Sequence, residues 1–316
     1  MKLIALFIAM LLERLATQLF HLRELRWLDG LFDYGLRLAQ RFDGIPKLLG
    51  VVATILLVAL PIILLRVGFG DTLLGLPYLA LSVVVLFFSL GPRDIGEEVD
   101  RWCSAIETGD TEQARSVARA LLEHGAADEE IARSFAVEEA VCIQANNRMF
   151  AVIFWFVVLG PVGAWVFRVA DLLRRRAVFQ AERLAVEGAD VADETNPVHR
   201  DLRAAAAARQ ATEQVHALLA WLPARLTALG YALTGSFDSA RHAWSALGIE
   251  RLSLQRGNER LLARVGLGAM ALTPVDGETA QERQIRGARA ARTLVFRTLV
   301  FWLVAIAAMT LAGAAI

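Results

Sequence analysis

Two neighbouring charges, Glu13 and Arg14, interrupt an apolar N-terminal run, where an isolated charge is costly unless it reaches water or a partner. Such a pair either marks the membrane interface or contributes to a polar cavity. Glu139 stands just before a long apolar run and suits the partner of an arginine or a relic metal ligand. Arg168 and Asp171 close that same run. Arg225 lies between Trp221 and Thr227, beside Pro223, so a kinked helix can present its guanidinium to an anion. A snorkelling contact with lipid phosphate fits it equally well. Glu13, Arg14, Glu139, Arg168, Asp171, Arg225 and Thr227 together form the candidate polar pocket, and none is assigned a catalytic role.

Several chemistries drop out at this level. Lys2 and Lys47 are the chain's two lysines, which removes a phosphate-loop lysine and leaves little scope for a Schiff base. Cys103 and Cys142 have neither a CxxC spacing nor a Cys/His pattern, and read as small buried side chains. His21, His124, His199, His216 and His242 form no HxxxH pair, so no metal and no cofactor is expected. With 33 basic and 33 acidic residues the net charge is zero, which argues against a nucleic-acid partner. Arg174, Arg175 and Arg176 read as an anchor to acidic lipid, each worth about 1 kcal/mol near the surface. Trp102, Trp155, Trp165, Trp244 and Trp302 are assigned to interface belts and core packing.

The elements that must position these residues follow from hydropathy. Of the 316 residues 56% are apolar, gathered in nearly uncharged runs of about 18, the length a helix needs to cross a bilayer. The expected fold is all-α: a polytopic helical membrane protein with about four inserted segments and amphipathic helices at its surface. Residues 1–47 read as a retained, partly embedded helix, since no small-residue cleavage site follows it, and then an interfacial helix. Residues 48–90 read as a transmembrane hairpin, Leu48 to Leu65 and Leu73 to Leu90, with Pro61 and Pro77 tolerated by neighbouring helices. Residues 91–147 turn polar; Asp110 and Gln113 read as a helix cap, Gly125 as that helix's end and Asp128 as the next start. Residues 148–170 hold the third apolar run, broken by Gly160, Pro161 and Gly163, which either spans or folds back. Residues 171–293 are a charged helical region with a linker from Leu184 to Val198 and a kink at Pro223; residues 294–316 are the last transmembrane helix.

Orientation rests on arginine and lysine at the membrane ends. Arg41, Lys47 and Arg93 place the open ends of the first hairpin in the cytoplasm. Arg168 and Arg174 to Arg176, with Arg283, Arg286, Arg289 and Arg292, place the region after the third run there too. Both hold if the third run is re-entrant, and that is the favoured reading.

Three stretches carry a family resemblance over nearly the whole chain: LLERL at Leu11 to Leu15, FAVIFWFVVLGPVGAWVFR at Phe150 to Arg168, and WLPARLTALGYALTG at Trp221 to Gly235. In order and spacing they resemble the AmpE family, bacterial inner-membrane proteins associated with regulation of chromosomal β-lactamase. That family in turn looks like a relative of the CobD/CbiB membrane synthases of cobalamin synthesis, through the runs Pro223 to Leu229, Gly160 to Ala164 and Gly109 to Arg115. The synthase motifs survive only in fragments. Glu123, His124, Gly125 and Ala126 stand where GRDT would be, and Glu139 takes the place of the glutamate in VES. Ile143, Gln144 and Ala145 replace ENT, and Asp171, Leu172, Leu173 and Arg174 replace NTLD. An ATP-dependent ligation needs oxygen ligands for Mg²⁺ and donors for phosphate, and most of these are missing. The resemblance therefore implies a multi-pass regulatory or sensory protein of the bacterial inner membrane, linked to the β-lactam response and not an enzyme. Its partners are the lipid bilayer and a small anionic ligand or a regulatory protein. The alternative is a synthase of the CobD/CbiB type with altered or lost chemistry.

Overall fold

The computed structural model describes residues 2–15, 25–42, 44–69, 76–90, 94–123, 135–189, 197–248 and 252–313. No strand occurs among them, and the chain is a helical membrane protein. In chain order the helices are α1 (Lys2–Leu15), α2 (Asp29–Ala39), α3 (Ile45–Phe69), α4 (Leu76–Ser89), α5 (Ile95–Thr108) and α6 (Thr111–Leu122). There follow α7 (Ala136–Ala145), α8 (Ala151–Ala189), α9 (Pro197–Thr234), α10 (Phe237–Ser245), α11 (Leu254–Met270) and α12 (Ala280–Leu311).

Among the described residues four stretches are long and apolar enough to cross a membrane: Ile45–Gly68, Ala136–Gly188, Val198–Thr234 and Ala280–Leu311. The number matches expectation. The hairpin's second arm is helical from Leu76 to Ser89, its expected start at Leu73 lying outside the described residues. α9, which its arginines assign to the charged region on sequence, is also of membrane length. The linker expected from Leu184 is helical as far as Ala189. The turn at Gly70 and Asp71 and the boundaries at Gly125 and Asp128 lie outside the described residues.

Polar punctuation sets the helix ends. Asp94 caps α5 by accepting from the Gly96 N–H at 2.7 Å, and α5 stops at Gly109 in the left-handed region. Asp110 then caps α6 by accepting from the Gln113 N–H at 2.9 Å, the cap the spacing predicts. A capping box, Thr279 with Glu282, opens α12.

The sharpest feature is in α8. Gly160 adopts φ 68° and ψ −155°, a region open essentially to glycine, and Pro161 follows. The bend is tight: a Cβ on Gly163 would collide with the carbonyl oxygen of Trp155, eight residues earlier and about 12 Å away along a straight helix. Tyr78 covers the bend, its hydroxyl 2.8 Å from where a Cβ on Gly160 would stand, and Arg66 stacks on the Tyr78 ring at 4.7 Å.

The helices form two compact units, each drawn from two stretches of chain. The first comprises Met1–Pro92 and Val152–Leu219, the second Arg93–Ala151 and Ala220–Ile316. Phe32, Leu36, Val51, Trp165, Val169 and Leu173 lead the first core. Val99, Trp102, Leu121, Val141, Phe150 and Tyr231 lead the second.

Candidate functional site

Each unit has its own polar interior. In the first, Asp171 on α8 is fully buried, and its carboxylate receives N–H groups from Arg168 at 3.3 Å, Arg174 at 2.8 Å and Arg175 at 2.9 Å. His216 of α9 lies 3.7 Å away. Spacings of three and four residues put the three arginines on the aspartate's side of the helix, and charge-assisted bonds offset the cost of burying the carboxylate.

Arg176 is bidentate to Asp33 of α2, at 2.7 and 2.8 Å, and reaches Asp29 at 3.3 Å; Gln180 also donates to Asp33 at 2.7 Å. The Arg176 hydrogen bonds hold the Asp33 carboxyl below the usual carboxylate range, against the opposing effect of its partial burial. The lipid-anchor reading of Arg174 to Arg176 is corrected: each of these guanidiniums is bonded to a carboxylate of the protein.

In the second unit the chain between α7 and α8 widens into a π-helical turn, Asn146–Phe150. Such turns are rare and often accompany function. Here the turn gathers polar side chains within the core. Arg148 donates to Glu98 at 2.7 Å, to Gln144 at 3.1 Å and to the Ala120 carbonyl at 3.2 Å. Thr227 donates to Asn146 at 3.1 Å, and the Asn146 amide reaches Asn147 at 3.1 Å. Phe150 packs edge-on to Tyr231, whose hydroxyl donates to the Cys142 carbonyl at 2.8 Å. Nearby, Glu138 is 2% exposed and accepts from Arg283 at 2.9 Å.

The sequence candidates therefore divide. Arg168 and Asp171 meet in the first unit; Glu139, Arg225 and Thr227 belong to the second. Thr227 enters the Asn146 network. Arg225 donates to the Trp221 carbonyl at 2.8 Å and Asn258 at 3.0 Å, with the Trp221 ring 4.1 Å from its guanidinium. Glu139 is half-buried, and the carboxylate held in the core is that of its neighbour Glu138. Glu13 and Arg14 lie on α1, their side chains outside the described residues. Cys103 and Cys142 are buried free thiols, and burial pushes the Cys103 thiol up, away from reactivity.

Sequence reasoning missed Glu98, Gln144, Asn146, Asn147 and Arg148. The signal was present: Asn146, Asn147 and Arg148 are three consecutive polar residues at the entrance to the third apolar run. For the Mg²⁺ a synthase would need, the described residues offer no group of three or more His, Cys, Asp or Glu side chains able to hold a metal.

Among the described residues, helices without strands, four of membrane length, and two arginine-buttressed polar interiors define a helical protein of the membrane class. More particularly, residues 1–316 match the family described as "Regulatory signalling modulator protein AmpE", and the chain belongs to that family. It is also similar to proteins described as "Cobalamin biosynthesis protein CobD". The one from Stutzerimonas stutzeri is 31% identical over 215 residues, 66% of this chain and 62% of the relative. The one from Chromobacterium violaceum is 28% identical over 163 residues, 51% of this chain and 46% of the relative. The chain thus spans about half to three fifths of the length of these curated relatives. No solved structure matches it.

Proposed function

We propose that this protein acts in the bacterial inner membrane as a non-enzymatic regulatory or sensory component of the β-lactam response, acting on β-lactamase expression. The observation that carries the reading is the family match across all 316 residues. The geometry supports it: Asp171, where the related synthases have their NTLD motif, is committed to three guanidiniums, the use of a carboxylate as a structural counter-ion. The bend at Gly160 supports the re-entrant reading of the third apolar run, which, with α9 packed against the membrane domain without crossing, leaves the region from Asp171 to Thr293 in the cytoplasm.

The test is deletion of the gene in its host and measurement of β-lactamase activity before and after exposure to an inducing β-lactam. Altered induction, restored by the wild-type gene at matched membrane level, is expected. Unchanged induction rejects the reading. A second reading, a synthase with altered chemistry, is favoured by the 31% identity to a CobD protein. Restored cobalamin production in a strain lacking its own CobD establishes that activity.

A further inference from the structure

The second unit carries a cavity of about 560 Å³ that meets its polar interior at Arg283. This is within the size range of small-molecule sites. Its apolar wall comes from Leu247, Leu267, Met270 and Leu272, and α10 contributes Ala243 and, just beyond its end, Ala246. Against that wall stand three guanidiniums, Arg260 and Arg264 one helical turn apart on α11, and Arg283 on α12. Among the described residues no acidic side chain lines the cavity.

The three arginines differ. Arg283 is held by Glu138 at 2.9 Å and lies over the ring of Phe135, 5.3 Å from its centroid, so it is already oriented. Arg264 is exposed and makes no hydrogen bond or ion pair among the described residues. Phe135 is a large aromatic left 44% exposed at this cavity. Arginines beside an apolar, aromatic wall match a molecule with an anionic group at one end and an apolar body at the other.

The source of such a molecule follows from position. Arg283 precedes Leu294, where the apolar part of α12 begins, by about 16 Å along the helix at about 1.5 Å per residue. With the bilayer taken to begin at Leu294, that distance puts the cavity beyond the headgroup level, which favours a soluble ligand. We propose that this cavity binds a small soluble amphiphilic anion, a carboxylate or phosphate bearing an aromatic or aliphatic group. Arg264 engages the anion with Arg260 one turn before it, Arg283 closes the end of the site, and the Leu247, Leu267 and Met270 wall takes the apolar body. The site is independent of the β-lactamase reading and stands or falls without it.

The experiment uses the full chain in phosphatidylcholine nanodiscs and isothermal titration calorimetry, with 1-naphthyl phosphate as the probe. Inorganic phosphate and 1-naphthol serve as its two halves. Saturable one-site binding of the probe is expected, with both halves at least tenfold weaker. Arg264→Gln and Ala246→Trp, one removing a donor and the other filling the mouth, should each weaken the probe at least tenfold while circular dichroism and thermal unfolding stay unchanged. Should Arg264→Gln unfold the chain, Ala246→Trp alone decides, its site being an exposed position after α10. Probe binding that both folded variants retain overturns the proposal, as does inorganic phosphate binding as tightly as the probe, or no binding at all. Loss of probe binding when phosphatidylglycerol enters the disc shows that a lipid headgroup takes the site, which overturns the soluble ligand.

Discussion

The Lys2 ammonium donates to the carbonyl oxygen of Val157 at 2.9 Å. In an uninterrupted helix that carbonyl would be paired with the N–H of residue 161, which is a proline and has none. The same logic recurs at Leu219, whose helical partner would be Pro223; its carbonyl instead accepts from the Trp155 indole at 3.0 Å. Each proline is accommodated because a side chain from another segment replaces the missing donor.

Removing that donor should be felt. Lys2→Met leaves the Val157 carbonyl without its partner and should cost about 1 kcal/mol, at the lower end for a half-buried acceptor. Lys2→Arg should retain most of the stability. Thermal unfolding in detergent compares the three proteins, and equal midpoints for Lys2→Met and wild type would show the contact to be idle.

Arg148 and Glu98 are both nearly buried, so losing one leaves the other's charge without its counter-ion in the core. Arg148→Met alone should destabilise by about 3–5 kcal/mol, whereas Arg148→Met with Glu98→Leu should recover much of the loss. A double-mutant cycle on denaturant unfolding reads this directly; additive losses would contradict the pairing.

Gly287 presses against the carboxylate of Glu138, where an added methyl would overlap a carboxylate oxygen. Gly287→Ala should therefore lower stability by about 1–3 kcal/mol through overpacking. Glu138→Ala in the same chain should relieve part of it. Folded yield and unfolding midpoint of the two single variants and the double variant test the coupling, and a fully additive double variant would sink it.

Asp33 predicts a pH dependence of known sign. Its folded carboxyl titrates below the unfolded one because Arg176 hydrogen bonds to it, so its contribution is present above the ordinary carboxylate pKa of about 3.9 and is lost as pH falls through the lower folded value. The stability gap between wild type and Asp33→Asn should be constant near neutrality and close in strong acid. Since the pair is partly exposed, salt should narrow it as well. A gap that widens on acidification would reverse the assignment.

Topology gives a further prediction. With Cys103→Ala and Cys142→Ala as background, Ser236→Cys should resist an impermeant thiol reagent in intact spheroplasts and react once the membrane is opened. Labelling of intact spheroplasts would mean that the third apolar run, or α9, crosses fully.

Local chemistry was legible from the sequence. The apolar α3, the Asp110 cap and the break at Gly160 and Pro161 are each written in a few consecutive residues. The pairings were not. Arg148 meets Glu98 across 50 positions, Arg176 meets Asp33 across 143 and Arg283 meets Glu138 across 145. Hydropathy cannot tell an arginine bound for a phosphate from one bound for a buried carboxylate, which is why Arg174 to Arg176 looked like lipid anchors. It also undervalued α9, whose alanines are weakly apolar yet suit close helix packing.

The π turn at Asn146–Phe150 is a matter of phase. One residue more than an α turn advances the helix by about 100°, so Arg148 and Phe150 point where a plain helix would have put their neighbours. Deleting a single residue there would slip the reading frame of faces: Phe150 would leave Tyr231 and Trp302 without any core side chain having been substituted. An alignment that closes this turn with a one-residue gap therefore changes which side chains share a surface, and chain length across 146–150 carries as much structural information as the residues that fill it.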